Sequence, residues 1–185
     1  MKKILWIASY PKSGNTLMRA IISSLVYTED GIFDFDLFKK ISLLDTNPFY
    51  DFVKNLNIDD YNNLNNLKIS SKYWKTAQQK FEEKTSNIIF KTHAANLMYG
   101  KNKYTTSTTS FGAIYLIRDP RDIPSSYSYH QEKSIDGVLN DMISKSTTIT
   151  NPKMNISVPL SSWDVHVKSW ELLETPKLII KFEDL

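Results

Sequence analysis

The feature that most constrains this chain is a junction near its start. An apolar run with β-branched and aromatic content, KILWIAS (3–9), leads directly into SYPKSGNTLMR (9–19). Apolar residues then recur at Leu17, Ala20, Ile21 and Leu25, which is helical spacing. The pattern predicts a buried strand, a tight loop and a helix over 16–27, its start capped by Thr16 or Asn15. A loop of this kind turns backbone N–H groups and the positive end of a helix dipole toward one point, where an anion is favoured. Gly14 allows close backbone approach, and Thr16 adds a hydroxyl. The lysine stands before the glycine (Lys12, Ser13, Gly14), whereas the common nucleotide loop places it after. No partner aspartate for magnesium stands on a strand in the pattern. A P-loop kinase or nucleotide triphosphatase is therefore the less favoured of the nucleotide readings.

The same alternation continues. NIIFKTH (87–93), FGAIYLIRD (111–119) and KLIIKFEDL (177–185) read as further strands. DPRDIPSSYSYHQE (119–132) reads as a helix with Asp119 as cap and Pro120 at its first position. IDGVLNDMIS (135–144) and SSWDVHVKSWELLE (161–174) are further helices, the latter capped by Ser161 or Ser162, and KYWKTAQQKFEEK (72–84) is a polar helix. FDLFKKISLL is expected as one helix. NLNIDDYNNLNNLKIS is expected as loop or lid, and STTITNPKMNISVP as loop. Strands alternating with helices predict an α/β fold, P-loop-like, with three α/β/α layers and a central parallel sheet. Ligands of such sheets sit at the carboxyl ends of the strands. That rule gathers Tyr10–Thr16, Lys91–His93 and Arg118–Ser126 around one crevice.

Bulk properties bound the partners. The 185 residues suit a single domain over 1–185, with 41% hydrophobic and 23% charged residues. A net charge of +3 suits a small polyanion in one cleft better than a nucleic acid. There is no cysteine, which excludes disulfides and thiolate metal sites. No stretch approaches the roughly 18 uninterrupted apolar residues of a membrane span. The first residues begin like a signal peptide, but the apolar run is short and no cleavage pattern follows, so a cytoplasmic protein is expected.

With these segments in view, the chain resembles the sulfotransferases that use 3′-phosphoadenosine 5′-phosphosulfate (PAPS), in their cytosolic and bacterial form. YPKSGNTL matches the family's 5′-phosphosulfate loop, FKTH (90–93) its second motif, and YLIRDPRDIPSSY its 3′-phosphate motif, with Ser126 eight residues after Arg118. SSWDVHVKSW and KFEDL match two later motifs in order. The resemblance implies PAPS as donor co-substrate, no metal, and a hydroxyl or amine acceptor on a small molecule, carbohydrate or lipid. It implies His93 as general base, Lys12 on the bridging oxygen of the phosphosulfate, and Lys91 on the transferring group. Ser13, Gly14, Asn15 and Thr16 belong to the 5′-phosphate loop, the last three holding the phosphate through backbone and side chain. Arg118 and Ser126 would take the 3′-phosphate, with Leu17 and Phe182 near the adenine. Leu17 stands where the family usually has Trp, and Phe182 where it has Tyr. The family continues past the last motif, so a C-terminal segment is expected to be missing; an inactive PAPS-binding remnant is the alternative. His166 is expected to be structural, His130 is a weak candidate, and Arg121 and Asp122 are expected in ion pairs. Neither the acceptor nor the oligomeric state can be read from the sequence. The acceptor pocket would draw on 30–85, 94–110 and 132–160. Phe35, Phe49, Tyr50, Tyr99 and Tyr129 are aromatics available there, with core packing their default.

Overall fold

Strand-forming residues in this chain alternate between two cores, and that alternation builds the layers. A computed structural model describes residues 2–150 and 156–185. Its main sheet has five strands: β1 (Ile4–Ser9), β2 (Ser42–Leu43), β3 (Ile89–Thr92), β4 (Ser110–Ile117) and β5 (Lys177–Lys181). They lie in the order 2-3-1-4-5, and every pairing in this sheet is parallel. On one face Trp6, Phe90, Ala113 and Tyr115 enter the larger core with Trp74, Phe81 and Trp170. On the other, Ile7, Ile89 and Leu116 pack with Met18 and Ile41. Side chains one residue apart on a strand point to opposite faces, so each strand serves both cores.

Helix α1 (Asn15–Tyr27) covers the second face through Met18 and Ile22. Helices α2 (Trp74–Lys80) and α5 (Trp163–Glu171) cover the first through Trp74, Ala77, Val167 and Trp170. Helices α3 (Ile123–Gln131) and α4 (Ile135–Ile143) form a smaller core with Tyr10 and Leu160. The result is the α/β fold with a central parallel sheet that the sequence pattern predicts.

Three local expectations are corrected. FDLFKKISLL is a short 3-10 helix (Phe35–Lys39) followed by β2, because Ser42 and Leu43 pair with Phe90 and Lys91. The Asn-rich stretch expected as loop takes in the end of a short helix at Phe52–Leu56 and carries two more at Ile58–Asn62 and Leu67–Ser70. Asn57 and Asn66 cap two of them by accepting from the backbone N–H groups of Asp60 and Lys68, so the residues that suggested loop act as helix starts. STTITNPKMNISVP holds a two-stranded antiparallel pair, Thr148–Thr150 with Ser157–Pro159, and residues 151–155 lie outside the described residues. Among the described residues no helix is long and apolar enough to cross a membrane.

Candidate functional site

Parallel register decides which residues meet. Ala8 lies opposite Thr92, and Ser9 opposite Leu116, so the residues just past β1, β3 and β4 emerge side by side. They open onto a cleft of about 1260 Å³. Lys12, Gly14, Asn15, Thr16, Leu17, Lys91, His93, Arg118 and Ser126 all line it, as does His130. Ser13 and Phe182 do not. The Ser13 side chain is buried with no hydroxyl partner among the described residues, and Phe182 lies beneath the loop.

The loop is held open by backbone geometry. Lys12 and Gly14 both adopt the left-handed conformation, with φ of 65° and 91°. That conformation is unusual for lysine and accumulates where a site over-determines the chain. Gly14 occupies the N-cap position of α1 with no side-chain cap, contrary to the expected cap by Thr16 or Asn15. The first N–H groups of the helix therefore remain without an intrahelical partner. Asn15 does not offer its amide to the cleft as expected. Its Nδ2 donates to the Ile7 carbonyl at 3.1 Å and to Ser9 Oγ at 3.2 Å, fastening the loop to β1. A Cβ placed on Gly14 would lie 2.5 Å from Phe182 Cδ2, so that aromatic ring needs glycine there.

Arg118 braces the same loop from β4. Its Nη1 donates to the Lys12 carbonyl at 2.9 Å, and its guanidinium lies 4.5 Å over the Phe182 ring. Among the described residues its buried Nε has no partner. Arg121 pairs with Asp119, which also caps the turn after β4 by accepting from the Arg121 backbone N–H at 2.9 Å.

His93 is anchored on one side only. Its Nδ1 lies 2.9 Å from the Ser9 carbonyl oxygen. A carbonyl only accepts, so Nδ1 carries the proton in the neutral ring and Nε2 keeps a free lone pair. Burial, with Lys91 nearby, pushes the imidazole down to about 3, so it is neutral at physiological pH. Burial and then Arg19 lower Lys91 to about 8.

The SSWDVHVKSW motif serves as a clamp on the segment after β3. His166 Nε2 donates to the His93 carbonyl at 3.1 Å, while its Nδ1 accepts from the Tyr115 hydroxyl at 2.8 Å. Trp170 Nε1 donates to the Ala94 carbonyl at 2.9 Å, and Ser169 Oγ accepts from the Asn96 N–H at 2.9 Å. His166 is buried and held near 4 by that burial, as a structural residue would be.

Two residues of the site were not read from the sequence. Arg19 donates to the Phe38 and Ile41 carbonyls, both at 2.9 Å, and fixes the approach to β2. Asp45 lines the cleft just past β2, between the two segments expected as a helix and as a loop. An arginine on the inner face of a helix was the only signal for the first, and nothing local pointed to the second. Of the five aromatics considered for the acceptor pocket, none lines the cleft. Tyr50 and Phe49 are core, whereas Phe35, Tyr99 and Tyr129 are exposed on the surface.

A parallel 2-3-1-4-5 sheet, a phosphate-type loop after its first strand and cations at the strand ends define a P-loop-like α/β protein with a basic cleft. The chain belongs to the sulfotransferase domain family, whose model matches residues 2–185. Group transfer is the activity that this membership carries. No curated protein matches the chain.

Proposed function

We propose that this protein transfers a sulfuryl group from PAPS to a hydroxyl or amine acceptor, in line, with His93 as general base. One observation carries the reading. The side chains of Lys12, Lys91 and Arg118 line the same cleft as His93, whose Nδ1 is tied to Ser9 and whose Nε2 is free. The donor set suits PAPS, which is anionic at both ends: cations, an uncapped helix start and an unpartnered buried Arg118 Nε.

Each residue has a defined task. His93 Nε2 takes the proton of the acceptor O–H as its oxygen bonds to sulfur. The bond from sulfur to the bridging oxygen breaks, and its electron pair goes to the departing phosphate. Lys12 and the N–H groups of Gly14, Asn15 and Thr16 stabilise that growing charge. Lys91 balances the oxygens of the moving group. Arg118 and Ser126 hold the 3′-phosphate and so fix the nucleotide's orientation. Bound PAPS supplies the activated sulfuryl group, and its negative charge raises the depressed basicity of His93 toward the useful range.

Thermal unfolding with adenosine 3′,5′-bisphosphate tests the donor site. At a hundred times Kd, wild type gains about 2.7 kcal/mol, and Lys12→Ala and Arg118→Ala lose most of that gain. No shift at millimolar ligand overturns the reading. Turnover without magnesium separates it from a nucleotide triphosphatase. Binding without turnover against a broad acceptor panel leaves the remnant alternative.

A further inference from the structure

Asp45 is only 3% exposed, yet it lines the cleft. It follows β2, whose pairing with β3 sets Leu43 opposite Lys91, two residues from each end of interest. Tyr50 donates to Asp45 Oδ1 at 3.2 Å, and Tyr104 donates to Oδ2 at 2.7 Å. Among the described residues no lysine, arginine or histidine pairs with it in a salt bridge. A carboxylate has about four acceptor positions, so each oxygen keeps one lone pair after these two bonds. Buried charges are normally paired or fully hydrogen-bonded, and this one is half satisfied beside an open cleft.

The partners of Asp45 are also connected to the reacting end. The Ala94 N–H donates to Thr92 Oγ1 at 3.0 Å, and Thr92 Oγ1 lies 2.9 Å from the Tyr104 hydroxyl. Because Tyr104 gives its one proton to Asp45, Thr92 must donate to Tyr104. The chain of donors therefore runs from the backbone beside His93 to Asp45, every donor directed at the carboxylate. Such an arrangement stabilises a negative charge at the end of the chain. Burial opposes it and lifts the carboxyl to about 6, still below neutral pH. The cleft thus carries cations at Lys12 and Arg118 and one buried anion at Asp45. The wall beyond holds hydroxyl side chains, among them Ser144, Thr148 and Thr150.

We propose that Asp45 recognises the acceptor, and that the acceptor carries a second hydrogen-bond donor, either a protonated amine or a neighbouring hydroxyl, in addition to the group that is sulfated. This rests on the sulfotransferase reading above. A purely structural Asp45 has no need of its charge, because Asn in its place can accept from one tyrosine hydroxyl through its oxygen and donate its amide N–H to the oxygen of the other. The free lone pairs, in contrast, require a donor from the ligand once the cleft is filled and water excluded.

The test uses matched probes and the conservative variant Asp45→Asn. Affinities are measured by calorimetry on the full chain saturated with adenosine 3′,5′-bisphosphate. Tyramine is compared with 4-methylphenol, and vicinal cyclohexanediol with cyclohexanol. In wild type, at least one donor-bearing probe binds about tenfold or more tighter than its partner, as expected for a hydrogen bond to a charged group. In Asp45→Asn that preference collapses while the thermal shift by the bisphosphate is unchanged. Preference for tyramine alone assigns an amine, and preference for the diol alone a polyol. Equal affinities within both pairs overturn the proposal, as does a preference that survives in Asp45→Asn. Absence of any bisphosphate shift in wild type defeats the donor-site reading instead. The probe comparison, repeated without nucleotide, then decides the role of Asp45 separately.

Discussion

The two ends of the cleft are built by different means. The end at the β1 loop comes from one short run of sequence, Tyr10 to Leu17, reinforced by Arg118. It presents largely backbone N–H groups and a left-handed turn, fixed within a few residues of each other. The end at Asp45 brings the segment from β2 to Tyr50 together with the Tyr104 hydroxyl and the polar wall near Thr148, which come from far along the chain. The first is a local device that tolerates changes elsewhere. The second exists only when several segments pack together, and its chemistry follows from which of them supplies a charge.

That contrast can be broken by variants which separate the ends. The largest effect is expected at His93, which lies between them. His93→Ala should lower kcat on the order of 10²–10⁴-fold while the bisphosphate shift persists. Wild-type turnover by this variant would remove His93 from the base role. Next comes the clamp. His166→Phe leaves the Tyr115 hydroxyl and the His93 carbonyl without partners, a cost of about 1–3 kcal/mol on chemical unfolding. It should lower kcat with little change in nucleotide affinity. Retained stability together with retained kcat would show that α5 does not position His93.

Titration sharpens the comparison further. His93 and His166 have folded values near 3 and 4, below the ordinary 6.5, so the unfolded chain takes up protons first. Their contribution to stability is present above pH 6.5 and is lost as pH falls toward those values. Asp45 has the opposite sign. Its folded value of about 6 lies above the ordinary 3.8, so the native state takes up its proton first and gains stability as pH falls from 6 to 3.8. Asp45→Asn removes that gain, and its denaturation midpoint should drop more steeply than that of wild type between pH 6 and 4, a difference on the order of 1–3 kcal/mol. Parallel pH profiles for the two proteins would mean that the Asp45 carboxyl is not perturbed. The smallest effect is expected at Gly14. Gly14→Ala meets both the left-handed backbone and the Phe182 ring, and should cost about 1–2 kcal/mol and weaken bisphosphate binding. An unchanged stability would show that the ring yields easily.

Much of the cleft end at the β1 loop was legible because its determinants are contiguous. Lys12, Gly14, Lys91, His93, Arg118 and Ser126 were named from short motifs at strand ends, and the rule that ligands sit at those ends brought them together. The errors share one cause. Asn15 and Gly14 exchanged roles because a side chain that can cap a helix can equally reach back to a strand, and only the packed loop decides between them. Phe182, expected near the adenine, packs beneath the loop against Gly14 and Arg118, contacts that no short run of residues shows. β2 was read as part of a helix because two residues carry no period, and their pairing with β3 is what makes them a strand.

The sequence by itself determined the alternation of strands and helices, the parallel sheet that follows from it, and the tight glycine-containing loop between β1 and α1. All three depend on periodicity or on neighbours in the chain. Tertiary structure alone decided which tautomer His93 holds, that α5 clamps the segment behind it, and that a buried carboxylate faces the cleft with half its hydrogen bonds unmade. Each of these depends on a partner more than 30 residues away or on exclusion from water, and neither distance in space nor burial is written into any short run of residues.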